Sequence, residues 1–313
     1  MLMFLAQGAT TVELTFTGGE PLLRFPDLQA LADRAQQRAH EYGMVPQFVL
    51  KTNGTILNPQ ILAFLSDGPW RVVVSIDGAA TAHDLHRRDS AGNPTYQAVS
   101  RTIATLIASG VACAASLTVH PNACDIVVSN VRHLHSMGLT NMDVGPVYGT
   151  VPWSREEVSR LAKSLNEVAM VMRHEAAEGR YLEVGPIYRE SEHVGEKLCD
   201  TWGCHAGSRN LAFLPDGSIA GCSALAMLVP RFQELVLGNV WEGIDERALA
   251  EMLRLAQAGA RDRSRCRQCP TASNCRGGCL AINYATTGLP LHPPDLYCRT
   301  ISAIPNAWRL AWA

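Results

Sequence analysis

Five short apolar runs, separated by amphipathic stretches, limit what this chain can fold into more than any other feature. Val12–Phe16, Phe48–Lys51, Arg71–Ile76, Ala112–Val119 and Asn141–Val147 are rich in apolar and β-branched residues. Runs of this length and character read as strands of a buried parallel sheet. Between them, Pro26–Tyr42, Pro59–Leu65, Tyr96–Ser109 and Asp125–Met137 carry helical periodicity, and Gly43, Gly110 and Gly138 stand where helices end. Repeated strand–helix order predicts a parallel sheet, open or curled into a barrel. Ser154–Glu178 reads as a long charged helix, and the remainder reads as loop-rich.

With 313 residues, 47% hydrophobic and 18% charged, the chain can bury a large core in one or two domains. A net charge of −2 without blocks of like charge gives no footprint for nucleic acid or an anionic membrane. The basic cluster Arg261, Arg263, Arg265 and Arg267 reads as a solvated loop face. No run approaches the ~20 apolar residues of a membrane span. Met1–Leu5 lacks the basic flank and length of a signal peptide, so the expected compartment is the cytoplasm.

Polar residues follow the strands in a regular way. Gly18-Gly19-Glu20-Pro21 follows the first, Thr52-Asn53-Gly54 the second, Ser75-Ile76-Asp77-Gly78 the third and His120-Pro121-Asn122 the fourth. Chemistry in parallel α/β sheets gathers at the C-terminal strand ends. One such ending is an ordinary turn, but four on one rim argue for a ligand site.

The ten cysteines are distributed unevenly, with only Cys113 and Cys124 before residue 199. Those two read as ordinary, buried or half-buried thiols. The other eight are Cys199-x4-Cys204-x12-Gly217-x4-Cys222, then Cys266-x2-Cys269-x5-Cys275-x3-Cys279, then Cys298. In a reducing compartment disulfides are disfavoured. Eight thiolates make two Cys₄ sets, and the spacing alone leaves zinc and iron–sulfur clusters both open.

The pattern from Cys204 to Cys298 resembles the SPASM domain, the C-terminal auxiliary-cluster domain of many radical S-adenosylmethionine (SAM) enzymes. The resemblance implies two [4Fe–4S] clusters. Cys199, Cys204, Cys222 and Cys279 would hold one; Cys266, Cys269, Cys275 and Cys298 would hold the other. Gly18-Gly19-Glu20-Pro21 resembles the turn that grips the methionyl amino group of SAM in that family, with Glu20 as acceptor. Ser75-Ile76-Asp77-Gly78, followed by His83, Asp84 and Arg87, resembles a second segment of it. Ser75 and Asp77 would line the SAM cleft beside Thr52 and Asn53, and Arg87 or Arg88 would meet the SAM carboxylate. A local hydrogen-bonding role suits His83 better than catalysis.

Radical SAM enzymes also carry a Cys-x3-Cys-x2-Cys loop for a third, catalytic [4Fe–4S] cluster, and no cysteine here precedes Cys113. The expectation is therefore a partial (β/α)6 radical SAM barrel over 1–180 that lacks its first strand, followed by a loop-rich SPASM domain over 181–313. On this reading the chain is a fragment whose full-length parent holds the catalytic cluster.

The implied activity is a maturase that modifies side chains of a ribosomally made peptide or protein through a 5′-deoxyadenosyl radical. The implied partners are a peptide substrate encoded nearby and an electron donor such as flavodoxin or ferredoxin. The rival enzyme reading is an anaerobic sulfatase-maturating enzyme. That family has an aspartate after the cysteine matching Cys222, where this chain has Ser223. The reading from a different class is a non-catalytic iron–sulfur or peptide-binding remnant.

Overall fold

The computed structural model describes residues 8–187, 204–258, 263, 265–269 and 278–312. The chain divides into two compact units. One comprises Met1–Pro146, Lys163–Arg189 and Ala307–Ala313, and the other Val147–Ala162 and Glu190–Asn306.

The first unit is built on a six-stranded sheet in the order β1 (Thr11–Phe16), β2 (Val45–Thr52), β3 (Trp70–Ser75), β4 (Ala112–Val119), β5 (Asn141–Pro146) and β6 (Glu183–Gly185). All five pairings are parallel. The five expected strands are present, and β6 adds a sixth that three residues were too few to announce. The central strands are buried: Leu50 and Val74 are fully covered, and the stacked rings of Phe48 and Trp70 lie 4.9 Å apart. At the edge, β1 has no fully buried residue.

Each crossover helix buries one stripe. Helix α1 (Phe25–Glu41) buries Phe25, Leu28, Ala32, Ala35 and Ala39, spaced three or four apart as a core-facing stripe requires. Helix α2 (Pro59–Asp67) begins at Asn58, whose Oδ1 accepts the Ile61 N–H at 2.9 Å. A short helix α3 (Ala80–His86) was not foreseen. It is followed by α4 (Tyr96–Ala108), whose start is held from outside: Asp84 Oδ1 accepts the Thr95 and Tyr96 N–H groups. Helix α5 (Val127–Ser136) follows a 3₁₀ turn, and α6 (Arg155–Ala177) is the expected long charged helix.

The second unit adds short strands to the expected loops. It contains an antiparallel sheet, ordered β10 (Gly243–Ile244), β9 (Val236–Asn239), β8 (Ser218–Ala220) and β7 (Ala212–Phe213). Helix α7 (Glu246–Gln257), capped by Asp245, packs Met252, Leu255 and Ala256 into a core with Ile219, Leu225, Leu237 and Tyr284. Strands of two to four residues are too short to show alternation in sequence. Two more helices follow, α8 (Leu280–Thr287) and α9 (Asp295–Trp312). No helix among the described residues is long and apolar enough to cross a membrane.

Candidate functional site

The polar residues at the strand ends of the first unit form a connected rim. The β1 strand leads into Gly18, whose φ of +148° few side chains tolerate, and then to Glu20. The Glu20 carboxylate caps the following 3₁₀ turn through Leu22 N–H at 3.1 Å. It also accepts the Thr52 hydroxyl at 2.9 Å and the Asn53 N–H at 2.7 Å, joining the ends of β1 and β2. Thr52 is buried, and its Oγ1 accepts the Gly54 N–H. Asn53 Oδ1 accepts from Thr55 through both N–H and hydroxyl.

After β3, the half-buried Ser75 hydroxyl has no protein partner among the described residues. Asp77 is 5% exposed and fully engaged. Arg87 donates to it through Nε at 2.7 Å and Nη2 at 2.9 Å, and Thr118 N–H on β4 adds a third bond at 2.9 Å. Such a bidentate pair fixes direction as well as charge. Arg88 points elsewhere, its Nη1 donating to Gly92 O.

At Gly78, φ is +123° and a Cβ would stand 2.1 Å from Asn130 Cγ, so only glycine fits there. Asp77, His86, Thr118, His120 and Asn130 line a small cleft, with the His86 and His120 rings stacked at 3.6 Å. Burial and then the neighbouring His86 lower the pKa of His120. Position at the rim pointed to His120 in the sequence; nothing there pointed to His86.

His83 is fully buried and its tautomer follows from its partners. Thr95 Oγ1 donates to Arg87 O, so it accepts from His83 Nε2, while His83 Nδ1 accepts the Asp77 N–H at 3.4 Å. Burial is the main cause that lowers its pKa. His83 therefore holds the Asp77–Arg87 segment in place as a neutral ring.

In the second unit the thiols gather in two groups. Burial raises the pKa of Cys204, and the nearby Cys222 and Cys279 push it up further. Burial likewise raises Cys222, opposed by the backbone amides of Leu225 and Ala224. Burial raises Cys266 too, which senses Cys269 and the positive charges of Arg263 and Arg265. Cys298 lies within reach of the Arg265 charge. Cys199 and Cys275 lie outside the described residues. No two of the eight described cysteines are joined in a disulfide. Cys124 is buried, and burial pushes Cys113 up to about 12, so neither is reactive.

Among the described residues, no three His, Cys, Asp or Glu side chains converge as they would around a single metal ion. A cubane takes one thiolate per iron and spreads its ligands more widely, and buried or half-buried thiols in two groups suit that chemistry. The rim suits SAM in the same sense. A Cβ on Gly18 or Gly19 would meet nothing within 4 Å, leaving their backbone open to a ligand beside the Glu20 carboxylate.

Residues 3–147 match the model of the Radical SAM superfamily. That stretch is just under half of the chain, and over it the chain is similar to a superfamily of enzymes. It is 29% identical over 303 residues to the mycofactocin maturase MftC of Mycobacterium ulcerans, covering 90% of this chain and 73% of that protein. It is 32% identical over 106 residues to a serine-type anaerobic sulfatase-maturating enzyme of Bacteroides thetaiotaomicron. That match spans 34% of this chain but only 25% of the relative's length. Its fold is similar to that of anSMEcpe, solved with bound AdoMet and a peptide. The TM-score is 0.78 at 18% identity, over 96% of this chain and 86% of the other.

Proposed function

We propose that this chain serves a radical SAM/SPASM maturase that modifies side chains of a ribosomally made peptide or protein in the cytoplasm. The observation that carries this reading is the alignment with the mycofactocin maturase, which runs through both units of the chain rather than the SAM domain alone. Residues 1–180 would serve SAM, and 181–313 the auxiliary clusters. When bound to a reduced cluster, SAM supplies a carbon radical able to abstract hydrogen from substrate.

The chain's own residues would position that cofactor. Gly18, Gly19 and Pro21 shape the backbone around the methionyl end, and Glu20 accepts from its ammonium while bracing Thr52 and Asn53. Ser75 contributes a hydroxyl. Arg87 uses Nε and Nη2 on Asp77, which leaves Nη1 for the cofactor's carboxylate. Cys199, Cys204, Cys222 and Cys279 would hold one auxiliary [4Fe–4S] cluster, and Cys266, Cys269, Cys275 and Cys298 the other. The catalytic cluster needs a Cys-x3-Cys-x2-Cys loop, which these 313 residues do not contain. A flavodoxin or ferredoxin would donate electrons.

A second reading, sulfatase maturation to formylglycine, is favoured by the several sulfatase-maturating relatives. Ser223 weighs against it, because an exposed hydroxyl without an activating partner is a poor base.

Anaerobic reconstitution of the 313-residue chain should yield about eight irons and eight sulfides, as two Cys₄ clusters require. Stoichiometric zinc without labile sulfide would overturn the assignment. The product of the whole reading frame, given SAM, reductant and a peptide encoded beside it, should change that peptide's mass. Formylglycine on a sulfatase peptide, with no change in the neighbouring peptide, would select the second reading.

A further inference from the structure

The sheet of the first unit has two unlike faces. Register partners in a parallel pair share a face, and successive residues along a strand lie on opposite ones. One face is apolar and covered: Phe48, Leu50, Val72, Val74, Met142 and Val144 are each 2% exposed or less. The other carries Glu13, Lys51, Arg71, Ser75, Ser116 and Asp143. Of these, Glu13, Lys51, Arg71 and Asp143 are exposed. An all-parallel sheet ordinarily buries apolar side chains on both faces, so a charged and exposed face suits a hydrated, polar occupant.

The cations of that face are placed together. Val49 pairs with Arg71 on β3 and stands two residues before Lys51, so the two cations flank it with their backbones about 8 Å apart. Val49 is 2% exposed, whereas both cations are exposed, and neither has a hydrogen bond or ion pair among the described residues. The acidic groups are placed differently. Asp143 and Glu183 stand two or more strands away, on β5 and β6, and Glu183 accepts the Tyr181 hydroxyl at 2.6 Å. Glu13, on β1, accepts the Thr15 hydroxyl at 3.1 Å. Lys51 directly precedes Thr52 of the rim, and Ser75 of the rim shares its face.

We infer that Lys51 and Arg71 form a carboxylate-binding subsite on this face, which selects a peptide substrate carrying an acidic group. The inference rests on the proposed reading that the chain serves a peptide-modifying enzyme. Cations without internal partners give up no ion pair on binding, and charge-assisted bonds to one carboxylate can engage both. Arginine offers a planar fork and lysine a mobile point charge, so the pair suits a carboxylate from a side chain or from a peptide C-terminus. An acidic group anchored there holds the adjoining peptide beside Thr52 and Ser75, the strand ends proposed to serve SAM.

The test is fluorescence anisotropy of the full chain with dodecapeptides that carry an uncharged nitrobenzoxadiazole dye. One peptide has a central Glu and an amidated end, one a central Gln and a free C-terminal carboxylate, and one a central Gln and an amidated end. A carboxylate peptide should bind about fivefold or more tighter than the neutral one, and which of the two does so names the source. Lys51→Gln and Arg71→Gln should each remove most of that preference and leave the neutral peptide within about twofold, whereas Lys51→Arg should keep it. These positions are exposed, so the variants should unfold in urea near the parental midpoint. Equal affinity for all three peptides, no binding at about 1 mM chain, or a preference that survives both Gln variants overturns the inference. Binding here needs neither iron nor SAM, so the two readings fail separately. If the maturase reading fails, the neighbouring peptide keeps its mass while the carboxylate preference persists. If this inference alone fails, the mass change persists without the preference.

Discussion

At the strand ends of the first unit, the site's carboxylates are answered from within the chain. Glu20 accepts from Leu22, Thr52 and Asn53, and Asp77 accepts from Arg87 and Thr118. In the second unit, Cys204, Cys222 and Cys266 are held where burial disfavours their thiolates, although thiolates are what a cluster needs. The first arrangement is preorganised before any ligand arrives. On the proposed reading the second would be completed by one, because a bound metal would supply the positive charge that favours thiolates. Folding and cofactor loading should therefore be nearly independent in the first unit and coupled in the second.

The largest effect should come from removing iron. Chelation under reducing conditions should abolish hydrogen-exchange protection of β8 and β9 while leaving amides in β2, β3 and β4 protected. Loss in both units together, or in neither, would break the contrast. A smaller effect tests the self-sufficiency of the rim. Arg87→Ala strands the Asp77 carboxylate, which is 5% exposed, and should cost about 3 kcal/mol in urea unfolding. A cost below about 1 kcal/mol would mean that Thr118 N–H and solvent suffice for Asp77.

The contrast also explains what the sequence could reveal. The parallel sheet was legible because β2 to β5 run five residues or more and their helices obey a 3.6 period. The rim was legible because its residues follow those strands directly. The pairing of Arg87 with Asp77 was not, since α3 carries Arg87 back over β3 and only the folded chain shows where the guanidinium lands. Arg263 was misread for a related reason. A basic residue beside the exposed Arg265 and Arg267 looks solvated in sequence, and only the folded chain shows that it is buried. The short strands β7 to β10 left no periodicity to read.

The smallest effect concerns the rim's one buried imidazole. His83 serves as an acceptor at Nδ1 and a donor at Nε2, so protonation removes the acceptor that faces the Asp77 N–H. Burial holds its pKa below the ordinary 6.5, opposed by Asp77 and Asp84 and aided by Arg87, with the Tyr96 ring covering one edge. A folded-state pKa below the unfolded value means that the unfolded chain takes up the proton first. The contribution of His83 is therefore fully present above pH 6.5 and is lost as pH falls through the lower folded value. Urea unfolding of the first unit should weaken between pH 6.5 and that lower value by at most about 1.4 kcal/mol per pH unit. Replacing His83 with Asn, which keeps a neutral acceptor and donor, should flatten that part of the curve. An unchanged slope would move the titration to His120, whose pKa burial also lowers and whose ring stacks on His86 rather than bonding the rim. The rim's preorganisation would then rest on the Asp77–Arg87 pair and the Glu20 contacts, without His83.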